Sequence, residues 1–281
     1  MVAEDYTAIE RAVVECAWAG CRTIWLCVDS DVEPIIRKRI GDYVEDPVYI
    51  WRKYDWKTDP ETGQEDRPTD FKKYIPVYYV PTLPKERGKI DSYGWGLITA
   101  ARAAISVGSQ IGELLQPTRF YAAFPYGVYD PGLVRAHRPS IASGPFALQH
   151  NGETFKDGKH LGFTLEPEDI RSVAASIRSR STRQFISDEE RKPGESVIGK
   201  SAIRLPHAEA YSASRFDLAE VVESVPIENY TIADIEEYED IRTWEGYTTA
   251  MAKCLSYRKP NALPGLELSK YGEVLERAGE D

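Results

Sequence analysis

Residues 10–28, ERAVVECAWAGCRTIWLCV, decide the fold. With the residues just before them they place Ile9, Ala12, Val13, Cys16 and Ala17 at i, i+3, i+4, i+7 and i+8, the apolar stripe of an amphipathic helix over 7–19. Thr7 stands where an N-cap hydroxyl is wanted, and Gly20 where a helix stops. The run that follows, CRTIWLCV, is short, apolar and β-branched up to Asp29, which predicts a strand buried on both faces of a parallel sheet. A helix that delivers the chain straight into a buried strand is half of an α/β repeat.

Working outward, Asp31 to Tyr43 reads as a second helix with Asp31 as cap and Pro34 in the first turn, and VYIWR (48–52) as a second strand. The polar residues 55–73 read as a surface insertion, YIPVYYV (74–80) as a strand, and PKERGKID (84–91) as a charged loop. A helix rich in small residues is expected from Tyr93 to Ile105, a strand at RFYAAF (119–124), and a loop of turn formers at PYGVYDPG (125–132). Residues 146–167 predict an antiparallel hairpin region from their NG and DG turns, and 171–204 carry eight basic against four acidic side chains. Residues 232–255 begin acidic and end in a helical run. The alternation favours one α/β domain over 1–255, with an open and mostly parallel sheet flanked by helices on both faces, and a tail over 256–281.

The 281 residues carry a net charge of -10, which disfavours nucleic acid and anionic lipid as partners. No stretch reaches the ~18 apolar residues of a membrane helix, so no membrane partner is expected and the chain is read as cytoplasmic. The four cysteines, Cys16, Cys21, Cys27 and Cys254, lack zinc-site spacing and are read as reduced core thiols. His137, His150, His160 and His207 are scattered, which gives no support to a nucleophilic triad. Trp18, Trp25 and Trp51 are expected in the core, and Trp244 at the mouth of a cleft.

Four phrases in order, ERAVVECAWAGCRTIWLCV, RFYAAFPYGVYDP (119–131), FKDGKHLGFTLEPED (155–169) and EYEDIRTWEGYTTAMA (237–252), resemble the sugar-phosphate nucleotidyltransferase family over roughly residues 8–255. The resemblance implies a Rossmann-like sheet of the glycosyltransferase-A type. It also implies Mg²⁺-dependent transfer of a nucleotidyl group from a nucleoside triphosphate to a sugar phosphate, with nucleotide or nucleotide sugar as partners. Carried onto this chain, it makes Asp240 and Asp130 the metal ligands and Lys85, Arg87 and Lys89 the candidates for phosphate contact. Tyr93, Gly94 and Gly96 would lie against the nucleotide base. Phage-encoded relatives have a similar YGVYDP phrase, which would place such a chain in a host cytoplasm.

The departures from the pattern are specific. The family's strand and Gly-rich loop stand before its first helix, whereas this sequence opens on the helix; Pro125-Tyr126 replaces a metal-binding Gly-Asp pair, and Glu166 a lysine. Weakened or lost catalysis is therefore an expectation alongside activity. The plainer readings are a solvated carboxylate for Asp240, an Asp-Pro-Gly turn for Asp130, and a solvated loop for the three basic residues. Two other functions stay open: a non-catalytic binding or structural protein, homo-oligomeric through tyrosine-rich surfaces, and a glycosyltransferase using Asp29-Ser30-Asp31 as a D-x-D metal motif.

Overall fold

The computed structural model describes residues 6–46, 74–82, 93–111, 117–182, 184–185, 202–203 and 218–254. Helix α1 (Ala8–Ala19) starts at a full capping box: Glu10 N donates to Thr7 Oγ1 at 3.3 Å and Thr7 N donates to Glu10 Oε2 at 2.8 Å. It ends at Gly20, whose left-handed φ of +93° turns the chain into strand β1 (Ile24–Asp29).

After β1 come α2 (Glu33–Ile40), β2 (Tyr43–Glu45), β3 (Tyr74–Thr82) and the long helix α3 (Tyr93–Ile111). Then follow β4 (Phe120–Ala122), β5 (Gly127–Val128), a 3-10 turn at Pro131–His137 and α4 (Arg138–Ser143). Strands β6 (Phe146–Gln149) and β7 (Phe163–Leu165) precede α5 (Pro167–Thr182) and the short strands β8 (Gln184–Phe185) and β9 (Ala202–Ile203). The described chain closes with α6 (Leu218–Val222), β10 (Thr231–Asp234), β11 (Glu239–Asp240) and α7 (Trp244–Cys254).

The result is a mixed α/β structure with mixed sheets. The three-stranded sheet has the order β1-β3-β2, with β1 parallel and β2 antiparallel to β3, and the four-stranded sheet the order β10-β6-β7-β4, in which only β10 and β6 run parallel; β5 pairs with β11 and β8 with β9 in two-stranded sheets. The two larger sheets share their helical cover. Val13 and Ala17 of α1 pack on Ile24, Ile75 and Val77 of the first sheet, while Trp18 and Ala19 join Phe146, Leu148 and Leu161 beside the second. On the opposite side α3 packs against β1 and β3, and its Trp95, Ile98 and Ala101 meet Ala122, Phe163, Leu165 and Ile170. At about 1.5–3 kcal/mol for each large apolar side chain removed from water, these two helices anchor the architecture.

Several expectations change on contact with the structure. Strand β1 is half-buried, because among the described residues its only neighbour is β3, and Trp25 stacks on Tyr78 instead of entering the core. Helix α2 is shorter than 31–43 and its N-cap is Val32, since the Asp29 carboxylate holds the turn by accepting from Asp31 N at 3.2 Å. The expected loop at 125–132 contains β5 and opens the 3-10 turn, and α3 runs to Ile111. In the hairpin region, Asn151 and Gly152 make a tight turn at φ +52° and +81° between His150 and Glu153, whereas Asp157-Gly158 closes a 3-10 turn capped by Thr154. VYIWR, the 55–73 insertion, the 84–91 loop, most of the basic stretch and the tail lie outside the described residues.

One helix carries its charge inward. Arg11 and Glu15, both buried, pair at 2.9 Å; Arg11 Nη2 also donates to the Phe124 carbonyl at 2.6 Å and its guanidinium lies 4.6 Å above the Tyr129 ring. Glu15 Oε1 accepts from Tyr121 at 2.7 Å and Tyr129 at 2.5 Å, and the Tyr129 oxygen accepts from Gly162 N at 3.1 Å. Removing one partner strands the other charge in a dry interior, a loss of about 3–5 kcal/mol. Arg11→Ala and Glu15→Ala are each expected to lower the unfolding free energy by that amount, with the double variant losing far less than the sum, as read from urea unfolding.

Candidate functional site

The residues that the sequence singled out fall at two places. The first is the carboxyl end of β1, where α3 begins. Tyr93 opens α3, Gly94 is buried, and Gly96 sits so close to β1 that an added Cβ would lie 3.6 Å from Cys27 Sγ. That spacing is ordinary van der Waals contact, so the first turn of a nineteen-residue helix rests directly on the strand. Asp29, Ser30 and Asp31 leave the same strand end, and the Asp29 side chain and carbonyl are occupied there by Asp31 N and Val32 N. Lys85, Arg87 and Lys89 lie outside the described residues.

The second place is the two-stranded sheet of β5 and β11, where Asp240 stands opposite Gly127. The pairing demands glycine, because a Cβ on Gly127 would collide with the His160 carbonyl; Gly246, which would collide with the Asp240 carbonyl, starts α7 just as tightly. His160 is buried beneath, with its ring edge-on to Phe124 at 5.2 Å and to Tyr126 at 5.8 Å. Its backbone N–H donates to the Tyr238 hydroxyl at 3.1 Å. Burial pushes the Tyr238 phenol up to about 12, against the pull of that hydrogen bond.

Asp240 does not point an idle carboxylate at solvent. Arg242 Nε donates to both its oxygens at 3.0 Å, Nη2 adds a bond at 2.5 Å, and the Arg242 backbone N–H a fourth contact at 3.0 Å. Burial raises its pKa, but the Arg242 hydrogen bonds and charge outweigh that and hold the carboxyl below the usual carboxylate range. Asp130, three residues beyond the partner of Asp240, accepts from Gly132 N at 2.8 Å and caps the 3-10 turn.

These donors do not fit a Mg²⁺ ion, which wants convergent, uncommitted oxygens in near-octahedral array. Both Asp240 oxygens face a guanidinium, the Asp130 carboxylate serves its own turn, and among the described residues no group of three or more His, Cys, Asp or Glu side chains converges. Glu166, at the family's lysine position, pairs with Arg119 at 3.3 Å. Trp244 stands 77% exposed beside Tyr247, not folded over a cleft. Arg171 pairs with Glu168 at 2.9 Å on an exposed helix face, while Val173 and Ala174 turn into the core.

What the sequence reading missed is aromatic. The pleat of β3 sends Ile75, Val77 and Tyr79 towards α1 and leaves Tyr74 and Tyr78 on the other face, joined by Trp25 of β1 and Tyr43 of β2. Trp25 stacks on Tyr78 at 4.5 Å and Tyr43 meets Tyr74 edge-on at 4.7 Å, with Tyr43 59%, Tyr74 48% and Tyr78 43% exposed. The signal was the alternation in YIPVYYV, which reads as one buried and one open face once period two is applied.

No family model matches the chain, and no curated protein matches it. Among the described residues, no helix is long and apolar enough to cross a membrane.

Because the folded-state pKa of Asp240 is depressed, its stabilising contribution is present above the unfolded carboxyl value near 3.8 and is lost as pH falls through the folded-state value. Asp240→Asn is expected to cost up to about 1 kcal/mol at neutral pH, discounted for its partial exposure. The difference between variant and parent should vanish in acid, as measured by chemical unfolding across a pH series.

Proposed function

We propose that the chain is a nucleotidyltransferase-like protein, related to enzymes that pass a nucleotidyl group from a nucleoside triphosphate to a sugar phosphate. The observation that carries this reading is the seating of α3 on β1: its first turn, at Gly96, packs on Cys27, two residues before the carboxyl end of a strand that is parallel to its neighbour. In open α/β sheets that is where ligands collect, with helix N–H groups aimed at anionic groups. Support for the Rossmann-like arrangement that the four sequence phrases imply comes from the parallel pairing of β1 with β3, beside which β2 is antiparallel.

The reaction such a protein performs forms a bond from a sugar-phosphate oxygen to the α-phosphorus and breaks the one to pyrophosphate. Asp240 and Asp130 as placed serve structure, so nucleotide binding is the part of the function that the described residues support, and catalytic competence is the part under test. The experiment measures pyrophosphate release across the four common nucleoside triphosphates and a panel of sugar phosphates, beside melting temperature with each nucleotide. A rise in melting temperature by several degrees with one triphosphate is expected. If no nucleotide shifts the melting temperature and no pyrophosphate appears, the reading fails.

A second reading is favoured by a separate observation, the open aromatic face of Trp25, Tyr43, Tyr74 and Tyr78. Under it the chain is a non-catalytic assembly protein, and that face pairs with the same face of a second copy, since a two-fold interface buries one patch against itself and exposed aromatic side chains suit its centre. Sedimentation equilibrium should then show a dimer that Tyr78→Glu dissociates. A monomer at all concentrations removes this reading.

A further inference from the structure

The end of α1 brings two thiols together by backbone geometry alone. Gly20, in the left-handed region, donates its N–H to the Ala17 carbonyl at 3.2 Å, and Cys21 donates its N–H to the Cys16 carbonyl at 3.1 Å. That pair of bonds is a Schellman motif, in which the residue after the glycine normally makes an apolar contact with the residue five positions earlier. Here both positions are cysteine, and the two side chains pack against the same core cluster. Cys21 is only partly buried, so a small oxidant can reach it.

We propose that Cys16 and Cys21 form a reversible intramolecular disulfide across the C-cap of α1 when the protein meets a disulfide oxidant such as oxidised glutathione. The main-chain bond between the two residues holds their backbones side by side, as a disulfide with closely spaced Cα atoms requires. In the first step the Cys21 thiolate attacks one sulfur of the oxidant, forming a mixed disulfide and expelling one glutathione thiolate. In the second, Cys16 attacks the Cys21 sulfur, forming the internal bond and expelling the second glutathione. The balance is two protein thiols and one oxidised glutathione giving one protein disulfide and two reduced glutathiones, which carry away both protons. Cys16 is the resolving group: the neighbouring Cys21 and burial hold its thiol well above its usual pKa in the reduced pair, so it does not open the exchange, and it attacks once the mixed disulfide stands beside it at Cys21. Cys27 is not part of the site: it packs under Gly96 of α3.

The test uses the full chain, reduced, then equilibrated in glutathione buffers of increasing oxidised fraction, quenched with an alkylating reagent and digested with trypsin. Cleavage after Arg11 and Arg22 places both thiols in the single peptide AVVECAWAGCR, and Cys27 in the next one. The expected result is loss of two hydrogens and of all alkyl label from the first peptide, restored by reductant, while Cys27 stays alkylated. Full double alkylation of that peptide under the most oxidising buffer overturns the proposal, as does a persistent glutathione adduct on either cysteine of the parent protein. Cys16→Ser, folded as judged by circular dichroism, should instead accumulate a stable glutathione adduct at Cys21. A variant that takes no adduct overturns the assignment of Cys21 as the attacking thiol.

Discussion

A single buried ion pair holds the molecule's parts to one another. Arg11 and Glu15 leave the same helix, yet their further hydrogen bonds go to Tyr121 on β4, the Phe124 carbonyl beyond it, and Tyr129 in the loop that follows β5. Tyr129 in turn accepts from Gly162 just ahead of β7. The helix that covers both sheets is thus keyed to one of them by polar groups that tolerate no slippage. Burial opposes the Arg11 charge, but Glu15 and the tyrosines facing it more than restore it, and the phenols are held protonated by burial and by the Glu15 carboxylate. An apolar replacement of the whole set could be as stable; what it would lack is the fixed register of α1 over the strand edge.

The same economy governs the acidic groups that resemble a metal site. A carboxylate commits to whichever donors stand nearest, and Asp240 and Asp130 each find theirs within two residues. The loops that follow β11 and β5 are therefore shaped by those carboxylates, and Lys253 fastens α7 back to Glu239 at 2.6 Å. The surface around α7 is a built structure in its own right, with Trp244 and Tyr247 presented on its outer side.

Much of the scaffold was legible from pattern. The stripe of α1, its Thr7 and Gly20 boundaries, the β1 run, the NG turn and the small-residue helix all emerged, because each is specified by neighbours in sequence. The misreadings share one cause, which is that partners come from elsewhere in the chain. Trp25 looked like core until its face was fixed by pairing with β3, and Asp31 looked like a cap until Asp29 took the turn. The buried role of Glu15 could not be read from a helix stripe, since an acid at that position is ordinarily solvated and only the distant tyrosines make it internal. Asp240 was legible as a residue of interest and illegible in use, for Arg242 sits two positions away, where side-chain direction and not spacing decides whether they meet.

Three glycines define how such a chain can diverge. At Gly127, Gly162 and Gly246 the space of a side chain is already filled, by the His160 carbonyl, by the Tyr121 hydroxyl with the Glu15 carboxylate, and by the Asp240 carbonyl. Descendants of this sequence can exchange carboxylates, aromatics or loop lengths and keep the architecture, but alanine forces main chain from main chain at Gly127 and Gly246 and breaks into the buried Glu15–Tyr121 contact at Gly162. Among homologues, glycine at those three places should outlast every residue that performs chemistry, which makes it a marker of shared ancestry even where activity has drifted away.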